Sequence, residues 1–395
     1  MKKSTLFSLV AFLSPATQAS ALYFYEIGTE DTALAGAGQA ARAQDASTIV
    51  TNPAGMTRLP DHMFTGGLQA MDGDISYRLD DDSGSKNPGD IMRFFPNASA
   101  FYTQKLNDSL YAGLGLYGNY GLGIDFGNWA GDRIIKKSTM VAMTLSPSLA
   151  YKLSERVSVG GSVNVNYGFL SLTRNVDNED EKQNDHDWAL SYRLGLLMEL
   201  TDKTRAGIAW TSKTDYDFNI DAKARFPNLP NVEYEIPVSA QVRAPQQIML
   251  SLVHDFNKTW SIMGDLGWQD WSQFGSPQVS VAGQDANRKN RLKDSWHTAL
   301  GLQYRPTELW RINAGFAFDS TVYKTQNDVA LSLPTGDEWR FATGAQYQIT
   351  PQSNIGFAVS YLNMQSSRVQ SPEQFKGSYN NPYLWFASVN YSYLF

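Results

Sequence analysis

The feature that most limits what this chain can become is a two-residue rhythm running from about residue 62 to the end. Val157, Val159, Val163, Val165, Tyr167 and Phe169 alternate with Ser158, Gly160, Ser162, Asn164, Asn166 and Gly168. Trp310, Ile312, Ala314, Phe316 and Phe318 alternate with Arg311, Asn313, Gly315, Ala317 and Asp319, and Ile355, Phe357, Val359 and Tyr361 continue the pattern. Successive side chains of a strand point to opposite faces, so each segment has one apolar face and one small or polar face. After the N-terminus, no stretch of about 20 residues is continuously apolar, as a membrane-crossing helix requires. Two folds accommodate so many one-faced strands. One is a soluble sandwich with apolar faces inward, and the other is a membrane barrel with them outward.

The N-terminus separates the two. Lys2 and Lys3 precede a short apolar run, Leu6 to Leu13, and Ala19-Ser20-Ala21 has the small residues of an export cleavage site. Residues 1–21 therefore read as a signal peptide, with the mature chain starting at Leu22. Strands that cross lipid must close into a barrel, because open main-chain groups find no partner in hydrocarbon. The mean hydropathy of −0.35 resembles that of a soluble protein. A barrel hides its lipid face in alternation, so the average does not reveal it. The absence of cysteine removes thiolate metal sites and cysteine nucleophiles, and a net charge of −6 without a basic stripe excludes a nucleic-acid partner.

Short turns are predicted at Asn107-Asp108, Ser154-Glu155, Asp202-Lys203, Asn257-Lys258, Thr307-Glu308 and Pro351-Gln352. They alternate with long polar loops over 79–91, 123–138, 173–187, 219–240, 273–294, 323–337 and 367–382. Six turns and seven loops connect fourteen antiparallel strands, an all-β transmembrane barrel with short periplasmic turns and longer outer loops. The last strand places Tyr383, Trp385, Ala387, Val389, Tyr391, Tyr393 and the terminal Phe395 on one face. Such an ending resembles the signal read by the outer-membrane assembly machinery, an expected partner. Residues 22–61 lack the rhythm, and Thr32 to Arg42 is rich in Ala and Gly. A barrel of fourteen strands leaves a lumen to be filled. The segment is therefore expected inside it as a plug, or hatch, of short helices and turns, with 62–395 forming the barrel.

Several short motifs occur in a characteristic order. Asp45-Ala46-Ser47 and Asn52-Pro53-Ala54 lie in the N-terminal segment, and Asn119-Tyr120-Gly121-Leu122 lies in the third predicted strand. Trp271-Ser272-Gln273-Phe274, Leu292-Lys293-Asp294 and Ser332-Leu333-Pro334 follow. Together they resemble the FadL/TodX family of outer-membrane transporters for long-chain fatty acids and aromatic hydrocarbons. The resemblance implies an apolar lumen pocket above the hatch and passive sideways exit through a gap at strand 3. It places Arg174, Arg288 and Lys289 at a carboxylate head-group site, which suits the bidentate geometry of Arg. It also assigns Gly118, Asn119, Tyr120 and Gly121 to the strand 3 kink and lateral opening. Leu22 to Glu26 would reach the pocket from below. Phe24 and Glu26 are therefore grouped with Asn52, Pro53 and Ala54 as a hatch gate, the last three in contact with the kinked strand and turning into strand 1. The plain alternatives are surface charge or a lipopolysaccharide contact for the cations, and simple lumen filling for the hatch. One departure stands out: only 13 residues, mostly charged, separate Arg174 from Trp188, so an apolar landing surface is left to the 219–240 loop.

No catalytic residue, cofactor or metal site is read from the chain. Gly113-x-Gly115-x-x-Gly118 lies in a strand with no helix after it, and His62, His186, His254 and His297 lack metal-ligand spacing. The reading is a non-enzymatic carrier in the outer membrane of a Gram-negative cell, monomeric and in contact with membrane lipid and lipopolysaccharide. Long-chain fatty acids are its leading cargo. Neutral aromatic hydrocarbons or alkanes are the alternative, and a non-specific porin or a structural or adhesive surface barrel remain as other classes.

Overall fold

A computed structural model describes residues 25–80, 86–133, 135–176, 178–226, 229–274, 279–281, 284–285, 291–370 and 375–395. Fourteen antiparallel strands close on one another. In chain order they are β1 (His62–Asp74), β2 (Phe95–Lys105), β3 (Leu110–Asp125), β4 (Lys137–Ser154), β5 (Val157–Val176), β6 (Glu179–Thr201) and β7 (Thr204–Thr211). The second half comprises β8 (Gln247–Asp255), β9 (Trp260–Gln269), β10 (Ser295–Tyr304), β11 (Trp310–Asp319), β12 (Glu338–Thr350), β13 (Ser353–Met364) and β14 (Tyr383–Leu394). The ring closes where β1 pairs with β14, from Met63 opposite Leu394 to Asp74 opposite Tyr383. The six short turns fall where the alternation breaks, at 106–109, 155–156, 202–203, 256–259, 305–309 and 351–352.

Two of the seven expected loops are strands instead. Over 173–187, β5 and β6 stay paired to Val176 and Glu179, with Arg174 opposite Glu181. Over 219–240, the strands Thr214–Phe226 and Leu229–Ala244 pair as a second long hairpin. Both hairpins extend past the barrel into water. In the first, Arg174 to Asp187 is mostly polar or charged, so pairing continues without the alternation that marks a strand in the sequence. In the second, Tyr216, Phe218 and Ile220 do alternate with Asp215, Asp217 and Asn219 and are buried in the apolar cluster.

On the barrel wall the apolar face points outward, with Trp188, Leu300 and Phe357 more than half exposed. That face meets lipid. Ahead of β1, most of the chain from Tyr25 to Leu59 is buried inside the barrel, with Arg58 exposed at its lower end. It comprises α1 (Thr29–Ala33), α2 (Thr48–Thr51) and a 3₁₀ turn (Pro53–Arg58). Helices this short leave many main-chain groups unpaired, and lumen side chains answer several of them. Asp265 accepts from the amides of Gly38 (2.7 Å) and Gln39 (3.2 Å), and Ser251 accepts from that of Ala40 (2.8 Å). Gln69 donates to the Ile27 carbonyl at 2.9 Å.

The wall is dented to admit this segment. A Cβ at Gly315 on β11 would overlap the Leu34 main chain, and one at Gly207 on β7 would overlap the Ala40 carbonyl. The small residues from Ala33 to Ala41 are the other half of the fit. Gly315→Val and Gly207→Val are each expected to unseat the plug and leave the barrel intact. In planar bilayers both variants should conduct well above the parent, and parental conductance would show that the seat is not needed.

Candidate functional site

The lumen has two storeys. Near the turns its face is polar: Ser146, Asn164, Asn166, Asn390 and Ser392 are buried there. They bond to one another, as in Thr144 to Asn166 and Ser146 to Asn164, both at 2.7 Å. Nearer the loops the same face turns apolar. Met140 on β4, Leu170 on β5, Leu362 on β13, and Leu384 and Phe386 on β14 form one cluster with Trp271, Val322 and Leu333 of the outer connections. Strand segments such as Phe169-Leu170 and Leu384-Trp385-Phe386 are therefore apolar on both faces.

A cavity of about 60 Å³ lies in the upper storey, between the plug and the outer connections. Its apolar lining includes Trp271, Val322, Leu333, Leu362 and Phe386, and Tyr25 of the plug lines it from below. That volume is well below the range of small-molecule pockets, so a cargo must spread the outer connections or displace the plug end to enter. One side of the floor is charged. Arg340 of β12 meets Glu26 of the plug at 3.0 Å and Glu338 at 3.3 Å, and lies 3.5 Å from Asp319. Its guanidinium sits 5.0 Å from the centre of the Tyr25 ring. The other face of that floor is His297, stacked on Tyr25 at 4.2 Å and bonded to Asp319 at 2.7 Å. Burial raises the Glu26 carboxyl above its ordinary value, against the opposing pull of Arg340.

The wall beside this chamber is interrupted. β2 and β3 pair from Lys105–Tyr111 to Ser99–Tyr117 and then separate. The next contact in the ladder is the Met92–Ile124 bridge. Between them Phe95 to Ala98 of β2 pair only with β1. Pro96 has no N–H to offer, and the Asn97 side chain takes the Gly118 carbonyl at 3.2 Å. On its other edge β3 carries a bulge, because Gly118 faces Met143 and Tyr120 faces Ala142, leaving Asn119 as the extra residue. The window runs roughly 20 Å along β3 at ~3.3 Å per residue. Phe95 and Leu122 flank it and pack in the apolar cluster of the chamber.

The sequence-derived candidates are placed unevenly. Gly118, Asn119, Tyr120 and Gly121 lie at the bulge and window. Glu26 lies at the chamber floor, and Phe24 lies outside the described residues. The turn that Asn52, Pro53 and Ala54 open, Pro53–Arg58, packs against strand 3, and their own hydrogen bonds and close approaches go elsewhere. Asn52 donates to the carbonyls of Ala40 (2.6 Å) and Leu196 (3.0 Å) and accepts from the Ala54 amide (3.0 Å). Pro53 and Ala54 sit over Gly160 of β5, while Ile49 and Met56 are the residues against Gly113 of β3. Arg174 is engaged by Glu181 in the outer hairpin, at 2.7 Å. Arg288 and Lys289 lie outside the described residues. Arg340 was missed, although its position in the rhythm puts a cation on the lumen face.

Residues 10–395 match the model of a family described as outer membrane protein transport protein (OMPP1/FadL/TodX). The chain belongs to this family. Membership places it in the outer membrane of a Gram-negative bacterium, among transport proteins for hydrophobic compounds rather than enzymes. A long-chain fatty acid transport protein of Salmonella typhi is 25% identical over 434 residues, covering 100% of this chain and 98% of the relative. Outer membrane protein P1 of Haemophilus influenzae is 24% identical over 420 residues, covering 92% and 90%. Among solved structures, a Pseudomonas aeruginosa FadL homologue superposes with a TM-score of 0.81 at 19% identity, covering 95% of this chain and 99% of the other. The Ralstonia pickettii toluene transporter TbuX gives 0.71 at 19% identity, covering 93% and 98%. The FadL/TodX barrel is thus the fold of this chain.

Asn52 provides a test of how the plug is tied to the wall. Asn52→Ala removes three hydrogen bonds and should cost about 1–3 kcal/mol of plug stability. Amides of residues 38–58 should exchange roughly tenfold faster or more, with barrel amides unchanged. Unaltered exchange would remove Asn52 from the attachment.

Proposed function

We propose that this protein carries long-chain fatty acids across the outer membrane, binding them in the apolar chamber above the plug and releasing them sideways between β2 and β3. The observation that carries the reading is the meeting of an apolar chamber with an interrupted wall. Each CH₂ withdrawn from water contributes ~0.8 kcal/mol. A chain entering the chamber gains that energy, and a lateral route into lipid retains it. Full-length relatives named as long-chain fatty acid transport proteins support the cargo. In this reading the signal peptide, residues 1–21, is removed on export, and residues 22–61 act as the hatch.

The head group is proposed to bind Arg340. Among the described residues, Arg340 is the cation that lines the cavity, and Glu26 already presents a carboxylate to it. A fatty-acid carboxylate can take that position only if Glu26 leaves. Head-group binding would then loosen the plug at its N-terminal end, where Phe24 and Glu26 are the proposed gate. Arg174 and the Arg288/Lys289 pair remain candidates for an outer, first-contact site.

One observation favours a second cargo. Arg340 is faced by three carboxylates, Glu26, Asp319 and Glu338, so the cavity offers no surplus positive charge. An uncharged aromatic hydrocarbon would enter it with no exchange of partners. Displacement of a fluorescent probe by oleate and by a neutral alkylbenzene separates the two readings. For the fatty-acid carrier, Arg340→Gln should weaken oleate tenfold or more and leave the alkylbenzene unchanged. If only the alkylbenzene competes, or the variant changes neither ligand, the head-group assignment fails and the cargo is neutral.

A further inference from the structure

The opposite end of the lumen holds a second cavity, remote from the apolar chamber. It has a volume of about 620 Å³ and opens beneath the plug, among the short turns. Its lining includes Arg42, Arg58, Lys203, Arg205, Lys258 and Arg305, and the acid among its lining residues is Asp255. The plug supplies the first two cations, and the ends and turns of β6 to β11 supply the rest. The cavity is therefore assembled only when the plug is seated.

The charges do not balance. Arg42 is answered by Asp31, and Arg58 by Glu199. Glu30, shared with Arg311, and the buried Asp45 also act on Arg42. Against the cost of burial, Asp31 and these two acids hold its guanidinium above its ordinary value, so the excess lies with the other cations. Asp255 serves two guanidinium groups, Arg205 at 3.3 Å and Arg305 at 3.9 Å. Lys203 and Lys258 have no carboxylate partner among the described residues. Counting Arg311 with the six, seven cations face five acids, Asp31, Glu30, Asp45, Glu199 and Asp255, a formal excess of two. Arg42 and Arg205 are nearly buried, with side chains 5% and 8% exposed, so water screens them poorly. Burial and the neighbouring Arg205 pull the Arg58 guanidinium down to about 10. Burial and Arg311 lower that of Arg305. Such crowding of like charge is costly unless an anion relieves it.

We propose that this cavity is a periplasm-facing anion site that binds a phosphate-type anion of two or more negative charges. Guanidinium forks match phosphate oxygens bidentately, and the two lysines add mobile point charges at the rim. The phosphate can belong to a soluble solute or to a lipid head group of the inner leaflet, since Lys203 and Lys258 stand in turns at the barrel edge. The site is independent of the hydrophobic cargo, and its occupancy would bridge plug and wall from below.

Calorimetry with inorganic pyrophosphate tests this, using full-length protein in neutral detergent at constant ionic strength with acetate as the comparison anion. Pyrophosphate should bind one to one and at least tenfold more tightly than acetate. Lys203→Ala/Lys258→Ala, and separately Arg305→Gln, should each weaken it about tenfold, with alkylbenzene binding as the check on folding. Repeating the titration in nanodiscs with anionic phospholipid identifies the source. Competition by the lipid supports a head group as the natural occupant, and undiminished binding supports a soluble one. Pyrophosphate binding no tighter than acetate, or affinity unchanged in both the lysine and the Arg305 variants, would overturn the proposal.

Discussion

The structure depends on one rule: a main-chain N–H or C=O without water must find another partner. In the wall the rule demands closure, and β1 meets β14 along twelve residue pairs. In the lumen it explains why the lower storey is polar. The segment from Tyr25 to Leu59 has only short helical turns of its own, and Asp265, Ser251 and Gln69 answer main-chain groups that these turns leave open. The polar lumen and the irregular plug are two halves of one hydrogen-bonding solution, and the wall glycines let them approach closely.

The proposed exit lies where the rule is relaxed. Between β2 and β3 the ladder stops at Ser99–Tyr117 and resumes at the Met92–Ile124 bridge. Pro96 and the Asn97 side chain limit the exposed donors and acceptors, so the interruption costs less than a fully unpaired edge. Apolar residues face this window from inside, and the upper lumen has lost the polar side chains that hold the plug below. A greasy molecule in the chamber is thereby separated from aqueous and peptide polarity on most sides.

Much of this was legible in the sequence. Period-two alternation located all fourteen barrel strands and all six turns, because each strand has one face in lipid. Two hairpins, Arg174 to Asp187 and 219–240, were missed for different reasons. Arg174 to Asp187 is charged on both faces, so pairing there leaves no hydropathy trace. By contrast, 219–240 does alternate, from Ile220 against Asn219 to Val232, Tyr234, Ile236 and Val238 against Glu233, Glu235 and Pro237, and reads as a loop only through its polar residues. An apolar pocket above the hatch was expected from the resemblance, but its residues were not named, because lumen-facing Leu170, Leu384 and Phe386 break the alternation that was being sought. Asn52-Pro53-Ala54 was recognised as a distinct element, but its partner was not, because the bond from Asn52 to the Leu196 carbonyl spans 144 positions. Arg340 illustrates the same limit. Its lumen-facing position could be counted from Trp339 and Phe341, but its meeting with Glu26, 314 positions away, required the fold.

The central claim is that cargo leaves through the wall between β2 and β3. The chain has no cysteine, so Asn97→Cys combined with Gly118→Cys can lock that window by a single disulfide. The measurement is uptake of labelled oleate by cells carrying the double variant, oxidised and then reduced, alongside oleate binding by the purified protein. The account predicts that oxidation leaves binding intact, abolishes uptake, and is reversed by reductant. Uptake at the parental rate through the oxidised, cross-linked barrel would contradict it and direct the cargo through the plug instead.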